Sequence, residues 1–202
     1  MKRAFLCILI GICIHALSAQ SANQWGQKAD ALAKKGEYKA AIDAYEKALV
    51  RSKRNVHYLH YLGICYFEIH DYEMAVDALS RAIALRPRRA ELYIQRGKAY
   101  ALDSLYRQAA EDYTTAIHYY PERAEFYYER GLAKAALTKQ EAALQDFNVA
   151  ISLDERFGEY YYARGVCKAN LQDETACADL RIAVEKRVFN AREMLALYCP
   201  EE

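Results

Sequence analysis

The stretch Leu59-His-Tyr-Leu62-Gly63-Ile-Cys-Tyr66-Phe-Glu-Ile-His-Asp-Tyr72-Glu-Met-Ala75-Val-Asp-Ala-Leu79-Ser-Arg-Ala82-Ile-Ala-Leu-Arg-Pro87 decides the fold. It holds two apolar runs of helical period and ends at Pro87, where a helix can no longer continue. The same pattern recurs along the chain. Gly63, Gly97, Gly131 and Gly165 stand 34 residues apart, with Ala29 in the same register one repeat earlier. Ala41, Ala75, Ala109 and Ala143 form a second small set, and Ala48, Ala82, Ala116 and Ala150 a third. Large residues recur between them: Trp25, Leu59, Tyr93, Tyr127 and Tyr161 before the glycine place, and Tyr45, Leu79, Tyr113 and Phe147 after it. Small residues let two helices approach closely, and the aromatics fill the wider gaps. The unit is therefore a helix-turn-helix.

These residues resemble the tetratricopeptide repeat family, and Leu59, Leu62, Gly63, Tyr66, Tyr72, Ala75, Leu79, Ala82 and Pro87 follow its pattern almost throughout. The resemblance implies an all-α fold, a right-handed superhelix of tandem helix-turn-helix repeats with a C-terminal capping helix. Repeats are expected at 22-55, 56-89, 90-123, 124-157 and 158-190, with the capping helix end and tail over 191-202. The first repeat departs from the pattern, with Ala29 for Gly and Lys53 for Pro, as a terminal repeat does. The fifth keeps register only if its turn, Leu171 to Thr175, is one residue shorter; Ala176, Leu180 and Ala183 then fall into place. Ala191, Leu195 and Tyr198 share one face of the expected cap.

A second regularity supports this register. Arg96, Arg130 and Arg164 each precede the repeat glycine, and Asp112, Asp146 and Asp179 lie 16, 16 and 15 residues later. Repeat two has Leu62 and Ala78 instead, so the charges come and go together. That favours an ion pair joining the two helices of a unit over a row of arginines for anionic ligands.

Lys2 and Arg3 precede an uncharged run from Ala4 to Leu17, followed by Ser18, Ala19 and Gln20. A run of this length reaches about 21 Å as a helix, short of a bilayer's hydrocarbon layer of about 30 Å. Residues 1-19 therefore read as a cleaved signal peptide, and the protein as exported to the periplasm or cell envelope. Cleavage after Ser18 and after Ala19 both remain open. The rival is the same fold held at the inner membrane by an uncleaved signal anchor. Cys7 and Cys13 lack the setting of a lipid-modified cysteine.

Of 202 residues 28 are basic and 27 acidic, and loss of Lys2 and Arg3 with the signal leaves 26 against 27. The chain has no global pull toward nucleic acid or anionic surfaces. Only 3 Pro and 8 Gly rule out a turn-rich all-β domain or a long flexible linker. There is no phosphate-cradling glycine loop, Gly-x-Ser-x-Gly, His-Glu-x-x-His or Cys-x-x-Cys, so no catalysis and no cofactor are expected. His57 and His60, three apart, are a weak metal or enzymatic candidate that would need further ligands such as Glu91.

Four cysteines remain beyond the signal. Cys65 and Cys167 take the repeat place of Ala31, Ala99 and Ala133 and read as small core residues. Cys177, early in the last repeat helix, can meet Cys199, at the end of the antiparallel cap. The Ala-Cys-x-Asp string at Ala176 to Asp179 and the terminal Tyr198-Cys199 look like those of exported tetratricopeptide proteins of Bacteroidetes-type bacteria.

In the family the first helices line the concave surface. The groove places are His57, His60, Ile64, Phe67, Ile94, Lys98, Tyr128, Leu132, Tyr162 and Val166, an apolar and aromatic set suited to a protein or peptide partner. The family's clamp for carboxylate-ended chaperone tails is not matched, since the first repeat offers Gly26 and Asp30. A second candidate surface for an anionic partner is the basic edge of Arg51, Lys53, Arg54, Arg86, Arg88 and Arg89 at two repeat junctions. Its ordinary role is positive charge near helix C-termini.

Overall fold

A computed structural model describes residues 22–200. The signal segment, with Cys7, Cys13 and both candidate cleavage sites, lies outside the described residues. The chain divides into two compact units, up to Arg88 and from Arg89. The described part of the first contains α1 (22–34), α2 (Tyr38–Arg51), α3 (Val56–Glu68) and α4 (Tyr72–Leu85). The second contains α5 (Ala90–Leu102), α6 (Tyr106–Tyr119), α7 (Ala124–Ala136), α8 (Gln140–Leu153), α9 (Gly158–Asn170), α10 (Ala176–Glu185) and α11 (Ala191–Tyr198). Among the described residues the fold is all helix, built from tandem helix-turn-helix repeats.

Within each repeat the backbone of the first helix meets a large side chain of the second. A Cβ on Gly131 would stand 2.6 Å from Phe147, and one on Gly63 or Gly97 would stand 2.6 Å from Leu79 or Tyr113. Tyr45, Leu79, Tyr113, Phe147 and Leu180 are wholly buried and form the inner seam of successive repeats. The larger residues ahead of the glycine divide differently. Leu59 is buried, whereas Tyr93, Tyr127 and Tyr161 are half-buried and lie under the guanidinium groups of Arg96, Arg130 and Arg164.

The three arginines pair as the spacing implies. Nε and Nη2 of Arg96 donate to the two oxygens of Asp112 at 2.8 and 2.7 Å. Arg130 holds Asp146 at 2.9 and 2.7 Å, and Arg164 holds Asp179 at 2.8 and 2.6 Å. All three carboxylates are buried. Each bidentate pair fixes the rotation of one helix against the next, and Nη1 of Arg130 and Arg164 reaches back to Thr114 and Asn148 of the preceding repeat.

The turns inside the repeats share a construction that the sequence hides. Gly36, His70, Ser104, Thr138 and Gln172 all have φ between 59° and 77° and stand 34 residues apart. In every one the following N–H donates to the carbonyl five residues back, as Asp71 does to Tyr66 and Lys139 to Lys134, which closes the helix with a left-handed residue. In the fifth repeat the glycine-to-small-residue spacing is indeed one shorter, yet the non-helical connection 171–175 is longer than the others. Asp173 accepts from the backbone N and hydroxyl of Thr175, and α10 starts only at Ala176.

At the end of the second unit α11 packs on α10 and α9, and its Ala191 is fully buried. Cys177 and Cys199 are bonded, with Cα atoms 5.8 Å apart, and tie the end of α11 to the start of α10.

Candidate functional site

In the first unit, α1 and α3 flank a pocket of about 350 Å³ floored by α2. His57, Tyr61, Ile64 and Glu68 come from one stripe of α3, Asp30 and Lys34 from α1, and Tyr38 and Tyr45 from α2. Asp30 organises the interior. It accepts the Tyr45 hydroxyl at 2.6 Å, and its two oxygens lie 3.0 and 3.2 Å from His57 Nε2. Burial, reinforced by that bond to Asp30, pushes the Tyr45 hydroxyl above the ordinary phenol range. The His57 ring packs against Tyr61 with centroids 4.6 Å apart.

In the second unit, α7 and α9 frame a pocket of about 240 Å³ with a different lining. Tyr128, Leu132, Tyr162 and Val166 converge there above Phe147 and Cys167, and Gln140 and Asn170 supply its polar edge. No side chain of this lining carries a formal charge. Tyr128 also belongs to the core beneath: its ring lies 4.9 Å from Tyr160 and 6.1 Å from Phe147, and burial pushes its hydroxyl up to about 12. Leu132, by contrast, is exposed.

The expected groove residues thus fall into different settings. His57 and Ile64 meet in the first pocket, and Tyr128, Leu132, Tyr162 and Val166 in the second. Ile94 has to be corrected. It is 7% exposed and packs into the core with Ala90, Ala109, Tyr113 and Phe126, because its short aliphatic side chain extends no further than these neighbours. Lys98 is bound to Glu129 at 3.3 Å. Phe67 is half-buried with its ring edge-on to Tyr72, and His60 is half-buried beside Tyr61.

Reasoning from the groove places alone missed Tyr38, Tyr61 and Glu68, and met Asp30 only as a mismatch to the family's clamp. The 34-residue register could have found Asp30, which holds the place of Ile64, Lys98, Leu132 and Val166.

The basic-edge residues are all exposed. Arg51, Lys53, Arg54, Arg86 and Arg88 belong to the first unit, and Arg89 opens the second, 3.9 Å from Glu91. Arg86 turns back onto the carbonyl of Leu85, in keeping with a role at a helix C-terminus. Among the described residues no group of three or more His, Cys, Asp and Glu could hold a metal ion, and no helix is long and apolar enough to cross a membrane. Cys65 and Cys167 are free thiols, buried, and burial pushes each up to about 11.

No curated protein matches the chain in sequence. Solved structures match it in fold. A MamA fragment from Desulfovibrio magneticus RS-1 aligns with a TM-score of 0.79 at 20% identity, over 83% of this chain and 95% of that one. A second MamA structure gives 0.78 at 25% identity, over 86% and 95%. YrrB, described as a TPR protein with an unusual peptide-binding site, gives 0.73 at 21% identity, over 86% and 88%. The tetratricopeptide repeat model matches residues 27–90 and 94–159, well over half of the sequence, and with the repeat packing above it shows that the chain belongs to the tetratricopeptide repeat family.

Proposed function

We propose that this chain is an exported scaffold that binds a segment of another protein on the faces of its first helices and performs no chemistry itself. The observation that carries this reading is the uncharged pocket between α7 and α9, where Leu132, Tyr162 and Val166 from two successive repeats present apolar surface to solvent. Such a surface favours an apolar side chain of a docked peptide. The peptide-binding site named for YrrB supports the same use of the fold.

Export is proposed from the basic, apolar, small-residue order of residues 1–20, and the Cys177–Cys199 bond supports it, since disulfides persist in oxidising compartments. On this reading the signal is 1–19, the five repeats run as 22–55, 56–89, 90–123, 124–157 and 158–190, and the source is a Bacteroidetes-type bacterium. The test is site-specific photocrosslinking in the native cell envelope. A photoreactive residue at Leu132 or Tyr162 should join the chain to a discrete partner protein, while one at the exposed outward position Val149 should not. Equal crosslinking from all three positions contradicts the reading. N-terminal sequencing of the same material should begin between Ala19 and Ser21; an intact Met1 points to the membrane-anchored form.

A further inference from the structure

The two pockets differ in charge, and the difference specifies what the first one takes. Two carboxylates, Asp30 and Glu68, border the pocket between α1 and α3 together with the ammonium of Lys34 and the imidazole of His57. Two carboxylates there face one ammonium and one imidazole, whereas the pocket between α7 and α9 is formally uncharged. The carboxylates stand among aromatic rings, with Tyr38 and Tyr61 on the walls and Tyr45 on the floor.

Asp30 keeps room for another donor. Its Oδ1 takes the Tyr45 hydroxyl, and the contact to Oδ2 is the longer of the two from His57, at 3.2 Å. A carboxylate accepts about four hydrogen bonds, so one oxygen is left with accepting capacity toward the cavity. The side chain of Asp30 is 35% exposed and that of His57 48%, so both can be reached from solvent.

Tyrosine faces attract cations through the ring quadrupole, and a carboxylate behind them adds direct Coulomb attraction. A volume of about 350 Å³ accommodates a lysine or arginine side chain with its alkyl stem along Ile64.

We propose that the pocket between α1 and α3 is a subsite for a cationic side chain, a lysine or arginine of the bound segment, held by Asp30 and Glu68 against the rings of Tyr38 and Tyr61. This rests on the scaffold reading above and adds to it the chemistry of one anchor. The partner segment then carries a basic residue that is seated in the first unit.

The probe is a displayed library of random 12-residue peptides selected on the full exported chain, and in parallel on Asp30→Asn and Glu68→Gln chains with unchanged melting temperature. Peptides from the wild-type chain should be enriched at least twofold in Lys and Arg, and the enrichment should vanish on the variants. A recovered basic peptide should bind the variants about tenfold more weakly, and its Lys-to-norleucine form should lose a similar factor on the wild-type chain. Binders without basic enrichment, or enrichment that persists on both variants, overturn the cationic subsite while leaving the scaffold reading intact. Failure to recover any binder overturns both.

Discussion

Arg96 grips both oxygens of Asp112 without the lysine that supports each equivalent pair. Lys134 stands 2.7 Å from Asp146 and Lys168 stands 2.9 Å from Asp179, while Tyr100 occupies that place beside Arg96. Burial accordingly pushes the Asp112 carboxyl above its ordinary range, against the pull of Arg96.

Arg96→Leu should therefore cost about 3 kcal/mol or more, the usual penalty for stranding a buried charge. Arg130→Leu and Arg164→Leu should cost roughly half as much, because a lysine remains on the carboxylate. The sign of the pH dependence follows. A carboxyl whose folded pKa is raised favours the folded state in acid, and that advantage is lost as pH rises through the folded value. Without Arg96 nothing offsets burial and the Asp112 carboxyl rises further, so the deficit of Arg96→Leu should shrink as pH falls from 7 toward 4, as read by urea denaturation at each pH. Equal deficits for all three variants would contradict the account.

Gly131→Leu should lower stability by about 1–3 kcal/mol or more, because even its Cβ would stand 2.6 Å from the Phe147 ring of α8. The turn beside it should respond in the opposite direction. Thr138 is β-branched and held at φ 59°, a conformation that costs a non-glycine residue about 1–2 kcal/mol, so Thr138→Gly should raise the melting temperature. A neutral Gly131→Leu or a destabilising Thr138→Gly in thermal melts would show the helix ends to be placed incorrectly.

The cysteines should separate cleanly. At pH 8 Cys65 and Cys167 should resist alkylation in the folded protein, since burial holds both thiols up to about 11, and react at once in denaturant. Non-reducing peptide mapping should find Cys177 joined to Cys199. Replacing both by Ser should cost about 2–4 kcal/mol and raise hydrogen exchange first in α11, which then rests on buried Ala191, its packing on α9 and α10, and the Tyr198 hydroxyl's contact with Asn170.

Much of this architecture is legible from spacing because a repeat shows each position several times over. Gly63, Gly97, Gly131 and Gly165 mark the close approach of paired helices, and the 16, 16 and 15 residue offsets mark the ion pairs. What spacing cannot carry is chemistry that varies at one place. The left-handed turn residue reads Gly, His, Ser, Thr and Gln in successive repeats, so only Gly36 announces it.

The site is harder for the same reason. Ile94 shares its place with His60, Tyr128 and Tyr162, yet a short side chain beside Tyr113 and Phe126 becomes core. Asp30 gains its role only from Tyr45 and His57, which the helices bring to it from elsewhere in the chain.

The affinity of one library-selected peptide for three variants tests the binding claim most directly. Leu132→Asp places a charge at an exposed rim of the pocket between α7 and α9, Ile94→Ala removes a core side chain, and Arg51→Glu with Arg54→Glu and Arg86→Glu reverses the basic edge of the first unit. The account predicts that Leu132→Asp weakens binding at least about tenfold with an unchanged melting temperature, since docking of the peptide would bury that charge without a partner. It predicts that Ile94→Ala lowers the melting temperature by an amount matching a loss of about 2–5 kcal/mol while the folded fraction still binds, and that the edge variant binds normally. Normal binding by Leu132→Asp together with loss of binding by the edge variant would contradict it and make the arginines the working surface.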